Sequence, residues 1–145
     1  MASADGLRRA IAERERARFD RAVATLVENA REAAPRDAGT LEQSIGSTGQ
    51  AYDERYMVAT IAAPVEHASW QNEGTGEYAG RGRIYPRNGG VLAWPAATSR
   101  GGFPGSNVGP GGMIFARSVA GTPPTRFWSS TVNAQAWLAA LQEAL

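Results

Sequence analysis

A chain of 145 residues has room for one domain, and the absence of Cys removes both a disulfide framework and a thiolate metal site. No apolar run approaches the roughly 18 residues of a membrane span, and the N-terminus lacks the hydrophobic segment of a signal peptide, so the expectation is a soluble chain made in the cytoplasm. The net charge is only +1, so the chain as a whole is not the strongly basic kind that binds nucleic acid by bulk charge.

The interior is thin. Val, Leu, Ile and Phe total 24 of 145 residues, and Ala supplies most of the other apolar positions. So small a share, together with high net charge, would mean disorder. With charge near zero and clear periodicity, it points instead to an ordered chain that draws stability from partner subunits.

In chain order, residues from about Ser3 to Ala34 read as one long helix. Leu7, Ile11, Phe19, Val23, Leu26, Val27 and Ala30 follow the three-four spacing of a single stripe. The charged first half is not a core face, so residues 1–16 read as a projecting arm and 17–145 as a single body. Pro35 stops the helix and Asp37 to Gly39 turn the chain. Thr40 with Gln43 then forms a capping box for a short helix whose apolar edge is Leu41 and Ile45, ended by Gly46 to Gly49. Arg55 to Ala63 is the cleanest strand, stopped by Pro64. A polar-aromatic turn leads to Glu73-Gly74-Thr75. Asn88-Gly89-Gly90 joins Arg83–Pro86 to Val91–Trp94 as a hairpin. Ser99 to Gly112, with six Gly and two Pro, is a long loop. Met113 to Val119 is a strand, and Thr125 caps a last helix whose buried face is Trp128, Val132, Trp137, Leu138, Leu141 and Leu145. The class is α+β: two N-terminal helices, an antiparallel sheet of about four strands, and a C-terminal helix on one sheet face.

Catalytic constellations fail one at a time. His67 is the only His, Lys is absent, and Glu66 and Glu73 near a turn read as solvated or capping carboxylates. Gly74-Thr-Gly76-Glu-Tyr-Ala79 resembles a dinucleotide fingerprint, but it neither follows a buried strand nor opens a helix. The reading is a non-enzyme with no cofactor and no metal. The four Trp read mainly as core filling, with one or two available as interface anchors.

Charge is lopsided. Pro35 to Glu77 carries seven acids and two Arg, whereas Tyr78 to Arg126 carries six Arg and no acid. One reading is ordinary solvated loops; the other is an acidic surface of one copy meeting a basic surface of the next. The candidate interface residues are Glu73, Glu77, Tyr78, Arg81, Arg83, Tyr85, Arg100, Phe103 and Arg117. Tyr78-Ala-Gly-Arg-Gly-Arg-Ile-Tyr85 also interleaves Arg with Tyr, a pattern that holds phosphates and stacks bases. The alternative function is therefore a small sequence-independent DNA-binding module using residues 78–85.

The run Ala34-Pro35-Arg-Asp37-Ala-Gly39-Thr-Leu41-Glu-Gln-Ser44-Ile45 resembles the signature of tail-completion, or head–tail joining, proteins of long-tailed bacteriophages. The turn His67-Ala-Ser-Trp70-Gln-Asn-Glu73-Gly74-Thr75 is also similar, as are the Gly-x-Pro turn and the Pro-Thr-Arg-Phe-Trp helix start. The likeness covers roughly residues 33–145. It departs at Ala38, where Thr is usual, at His67, where Tyr is usual, and in the long loop. The resemblance implies a structural virion protein of the neck, assembled in the host cytoplasm. It would form a ring, commonly a hexamer, that terminates the tail tube and joins it to the head. Its implied partners are further copies of itself, the tail tube protein and a head-completion or connector protein. Non-specific contact with DNA in the channel is a further expectation; a membrane is not.

Overall fold

The computed structural model describes residues 3–36, 39–53, 55–95 and 110–145. The fold is α+β, and the chain divides into two compact units: Met1–Asn72 with Thr125–Leu145, and Glu73–Pro124. Among the described residues the strands do not join into the expected sheet of about four. Two separate two-stranded antiparallel sheets stand in its place, one in each unit.

In the first unit, α1 runs from Ala4 to Ala33. The Ser3 hydroxyl accepts from the Gly6 N–H at 3.1 Å, which satisfies one of the free donors at the helix start. Phe19, Ala22, Val23, Leu26, Val27 and Ala30 are buried along one stripe, whereas every residue from 3 to 14 is exposed. The helix ends where Ala34 turns extended ahead of Pro35.

Helix α2 (Thr40–Ser44) lacks the expected capping box. Its N-cap is Gly39, at φ 71°, and the Gly39 carbonyl accepts from Gln43 N–H at 3.0 Å. Thr40 is already inside the helix, so its hydroxyl is no longer at the capping position. Asp37 and Ala38, the rest of the expected turn, lie outside the described residues. Leu41 and Ile45 are buried as expected, and Arg31 donates twice to the Ile45 carbonyl, at 3.0 and 2.7 Å.

Strand β1 (Gly46–Tyr52) falls where the sequence reads as the end of a helix. It pairs antiparallel with β2 (Met57–Ala62), from Gly46 opposite Ala62 to Tyr52 opposite Met57. Its register shifts between Thr48 and Ala51, where Gly49 takes φ 64°. The five central residues of β1 are all exposed, so no apolar alternation marks it. Residues read as a turn form helix α3 (His67–Glu73).

The single last helix is two, α4 (Phe127–Thr131) and α5 (Ala134–Glu143). Asn133 interrupts them and caps α5, its side-chain oxygen accepting from Ala136 N–H at 2.9 Å. Thr125 is not the cap of α4. Arg126 precedes that helix at φ 54°, and the Asn72 side chain accepts from the N–H groups of Trp128 and Ser129 at 3.1 and 3.2 Å.

Nor does the C-terminal helix lie on a sheet face. Ala140 and Ala144 pack against Ala22 and Leu26 of α1, with Ile61 of β2 alongside, while Leu138 and Leu145 are exposed. Small residues let the two helices approach closely. Arg18 and Arg21 of α1 then donate to the Leu141 and Ala144 carbonyls at 2.9 and 2.7 Å, satisfying acceptors at the open end of α5. A second cluster gathers Val27, Ala30, Ala34, Leu41, Ile45 and Phe127.

In the second unit, β3 (Leu92–Pro95) pairs antiparallel with β4 (Met113–Ala116). The expected hairpin between residues 83–86 and 91–94 is absent. Ile84 bridges to Val119 instead, through backbone bonds of 2.8 and 3.0 Å. Pro86 has no N–H to give a ladder, and Arg83 binds Ser118, which holds the segment beside 118–119. The strand expected over 113–119 accordingly stops at Ala116, with only the bridge at Val119 beyond it. Of the long loop, residues 99–109 lie outside the described residues and Pro110–Gly112 forms a 3-10 turn.

Candidate functional site

The second unit brings together two motifs that are far apart in sequence. Glu73-Gly74-Thr75-Gly76 runs beside Ala120-Gly121-Thr122. Thr75 N–H donates to the Thr122 carbonyl at 3.0 Å and Glu77 N–H to the Ala120 carbonyl at 2.8 Å. The Thr75 hydroxyl accepts from Thr122 N–H at 2.9 Å. Glycine is required here for space as well as angle. Gly76 and Gly121 sit at φ 60° and 101°, and a Cβ on either would overlap a backbone carbonyl of the facing segment.

This crossing positions the candidate interface residues. Glu77 follows Gly76 in a 3-10 turn (Gly76–Ala79), and its carboxylate pairs with Arg83 at 3.6 Å. Arg83 also donates from Nε to the Ser118 hydroxyl at 3.0 Å and from Nη2 to the Ser118 carbonyl at 3.4 Å. Its guanidinium is thereby engaged on three sides within its own unit. Glu73, Tyr78, Arg81, Tyr85 and Arg117 are exposed, and Arg81 makes no ion pair among the described residues. Arg100 and Phe103 lie outside the described residues.

On the β3–β4 sheet, Trp94 opposite Ile114 marks the inward face and Ala93 opposite Phe115 the outward one. Ile114 is the one buried large apolar side chain among the unit's described residues. Tyr78, Ile84, Tyr85, Val91 and Phe115 are exposed, by 37% at Ile84 up to 65% at Tyr85. None of the four Trp is fully buried, and Trp70 is exposed.

The first unit holds a feature that sequence reading missed. An open apolar groove of about 460 Å³ is walled by Phe19, Val23 and Leu26 of α1, Met57, Val58 and Ile61 of β2, and Val132 and Trp137 from the C-terminal segment. Asn133 is the polar side chain in its lining among the described residues, so the groove offers contact area rather than acid, base or nucleophile. Its walls come from three separate segments spread over 118 residues of sequence, from Phe19 to Trp137, and no local pattern could have announced it.

Beside it, Tyr52 ties β1 to α1. Its hydroxyl donates to the Asp20 carboxylate, Phe19 meets its ring edge-on at 6.2 Å, and the Arg16 guanidinium lies 5.3 Å from the ring centre. The bond to Asp20 raises the phenol above its usual pKa, desolvation adds to that, and Arg16 opposes it.

Glu66, His67 and Glu73 do not line the groove, and among the described residues no three His, Asp or Glu side chains come together as a metal site would require. No protein-family model, curated protein or solved structure matches the chain.

Proposed function

We propose that this chain is a structural subunit that associates with copies of itself into a ring. Following the resemblance of its Ala34–Ile45 and His67–Thr75 segments, the ring would be a neck component that terminates a phage tail tube and meets the tail tube and connector proteins. On this reading it performs no reaction.

The observation that carries the proposal is the surface of the second unit. Tyr78, Ile84, Tyr85, Val91 and Phe115 are exposed, as are Arg81 and Arg117, while Ile114 is the one buried large apolar side chain among the unit's described residues. Aromatic and Arg side chains are the types enriched at interface anchors, and covering them would supply apolar burial that the unit lacks alone. The DNA-binding alternative is less favoured, because a phosphate approaching Arg83 would meet the Glu77 carboxylate already paired with it.

Native mass measurement and negative-stain imaging at ~0.1 M and ~1 M salt test the reading. A closed ring at low salt that loosens at high salt is expected. A monomer at every concentration, together with salt-sensitive binding to DNA fragments, would replace it with the alternative.

A further inference from the structure

Helix α1 carries an apolar edge that no described residue of its own chain covers. Residues 3–14 are all exposed, yet Ala4, Leu7 and Ile11 fall at i, i+3 and i+7, the spacing with which an amphipathic helix enters a groove. Leu7 and Ile11 are 58% and 54% exposed. The same chain holds an apolar groove of about 460 Å³, open among the described residues, beside Phe19, Val58 and Trp137. That volume lies within the range of roughly 300–1,000 Å³ typical of clefts that enclose a ligand.

From these two features we infer that the N-terminal turns of α1 in one copy dock, Leu7 and Ile11 first, into the groove of a second copy.

Helix geometry excludes the chain's own arm from its own groove. Helix α1 is unbroken from Ala4 to Ala33, and its own Phe19, Val23 and Leu26 wall the groove. Leu7 stands 12 residues before Phe19, about 18 Å along the axis at 1.5 Å per residue. A straight helix cannot fold back across that distance onto its own flank, so an arm that enters such a groove enters that of another copy. Arm and groove are different surfaces, which makes the contact heterologous; it closes into a ring or continues as a filament.

Area sets its strength. The arm offers two large apolar side chains, Leu7 and Ile11, far fewer than the roughly 20–30 residues a side of a standard interface. A single contact is therefore weak. Each copy in a closed ring makes two, one through its arm and one through its groove, so closure favours the complete assembly over the dimer.

This inference deepens the ring reading and rests on it; the test separates the two. The chain has no Cys, so any disulfide reports engineered positions. Leu7→Cys protein is mixed with Val58→Cys protein, and separately with Glu32→Cys protein as a control on an exposed position of α1 outside the groove lining. In parallel, a Leu7→Glu/Ile11→Glu variant is compared with the parent by sedimentation, with helix content checked by circular dichroism. Cross-linking of the Leu7–Val58 mixture at least ~10-fold faster than the control is expected, as is loss of association in the double variant with helix content retained; a 1.4 kcal/mol difference would already give that factor. Equal cross-linking rates, or undiminished association of the double variant, would overturn the arm-in-groove contact while leaving the ring. Failure of the parent chain to associate at all would overturn both.

Discussion

Tyr52 and the two glycines of the crossing, Gly76 and Gly121, show how single residues hold distant parts of this chain. The Tyr52 phenol is raised above its ordinary pKa of 10.0 by its bond to Asp20. A group whose pKa is higher folded than unfolded adds stability while it is protonated in both states and loses that contribution as pH climbs through the folded pKa. The bond should therefore support the fold at neutral pH and fail only above about pH 10. Thermal unfolding of Tyr52→Phe against the parent checks this. A lower Tm for the variant at pH 7 is expected, with the difference shrinking as both are taken above pH 10. At the crossing, Gly76→Ala or Gly121→Ala would force Cβ into a facing backbone carbonyl, in a region of φ that side chains resist. A cost of about 2–4 kcal/mol in the second unit is expected for each, read from amide exchange of residues 74–77 and 119–122. Gly80, with open space at its Cβ despite φ 70°, should cost less.

Among the elements, α4 shows capping from a distance. Its first N–H groups bond to Asn72, 56 residues earlier, while Gln71 and Asn72 carbonyls accept from the N–H groups of Thr125 and Arg126 at 2.8 and 3.2 Å. The end of α3 and the start of α4 thus close the first unit where the chain leaves it and returns. Asn72→Ala should cost about 1 kcal/mol in denaturant unfolding, the usual value of a lost cap, and Asn133→Ala a similar amount at α5. Phe127→Ala should cost about 3–5 kcal/mol, because Phe127 is 2% exposed and is shared by Leu41, Ile45 and α1. The order of those losses is itself the test: a cap variant that cost more than Phe127→Ala would mean that the Asn72 contacts, not the apolar cluster, dominate.

At the scale of the whole molecule, Arg81 and Arg83 separate assembly from stability. Arg83 binds Glu77 and Ser118 inside its unit, in a half-exposed pair of the kind worth about 0–1 kcal/mol. Arg83→Ala should therefore lower stability slightly. Arg81 is exposed without an ion pair among the described residues, so Arg81→Ala should leave the unfolding midpoint unchanged and weaken association with other copies. Unfolding curves and sedimentation on the same two proteins check both halves. A stability loss confined to Arg81→Ala would reverse the assignment.

Local physics made part of this molecule legible from the chain alone. The 3.6-residue stripe from Phe19 to Ala30 specifies which face of α1 is buried, the helix stop at Pro35 is a matter of backbone sterics, and Leu41 and Ile45 announce the packed edge of α2. The α+β class follows from the same periodicities. What stayed hidden depends on partners far away in sequence. Strand β1 is polar and exposed along its middle, so only the β2 backbone makes it a strand. Ile84 could be seen as extended, but whether it would pair with residues 91–94 or with Val119 rests on Pro86 and Ser118. Leu138 is apolar and solvent-exposed because the tight approach of α5 to α1 selects Ala140 and Ala144 instead. The groove has no signature at all, since a concavity is the space left between segments and exists only once they are packed.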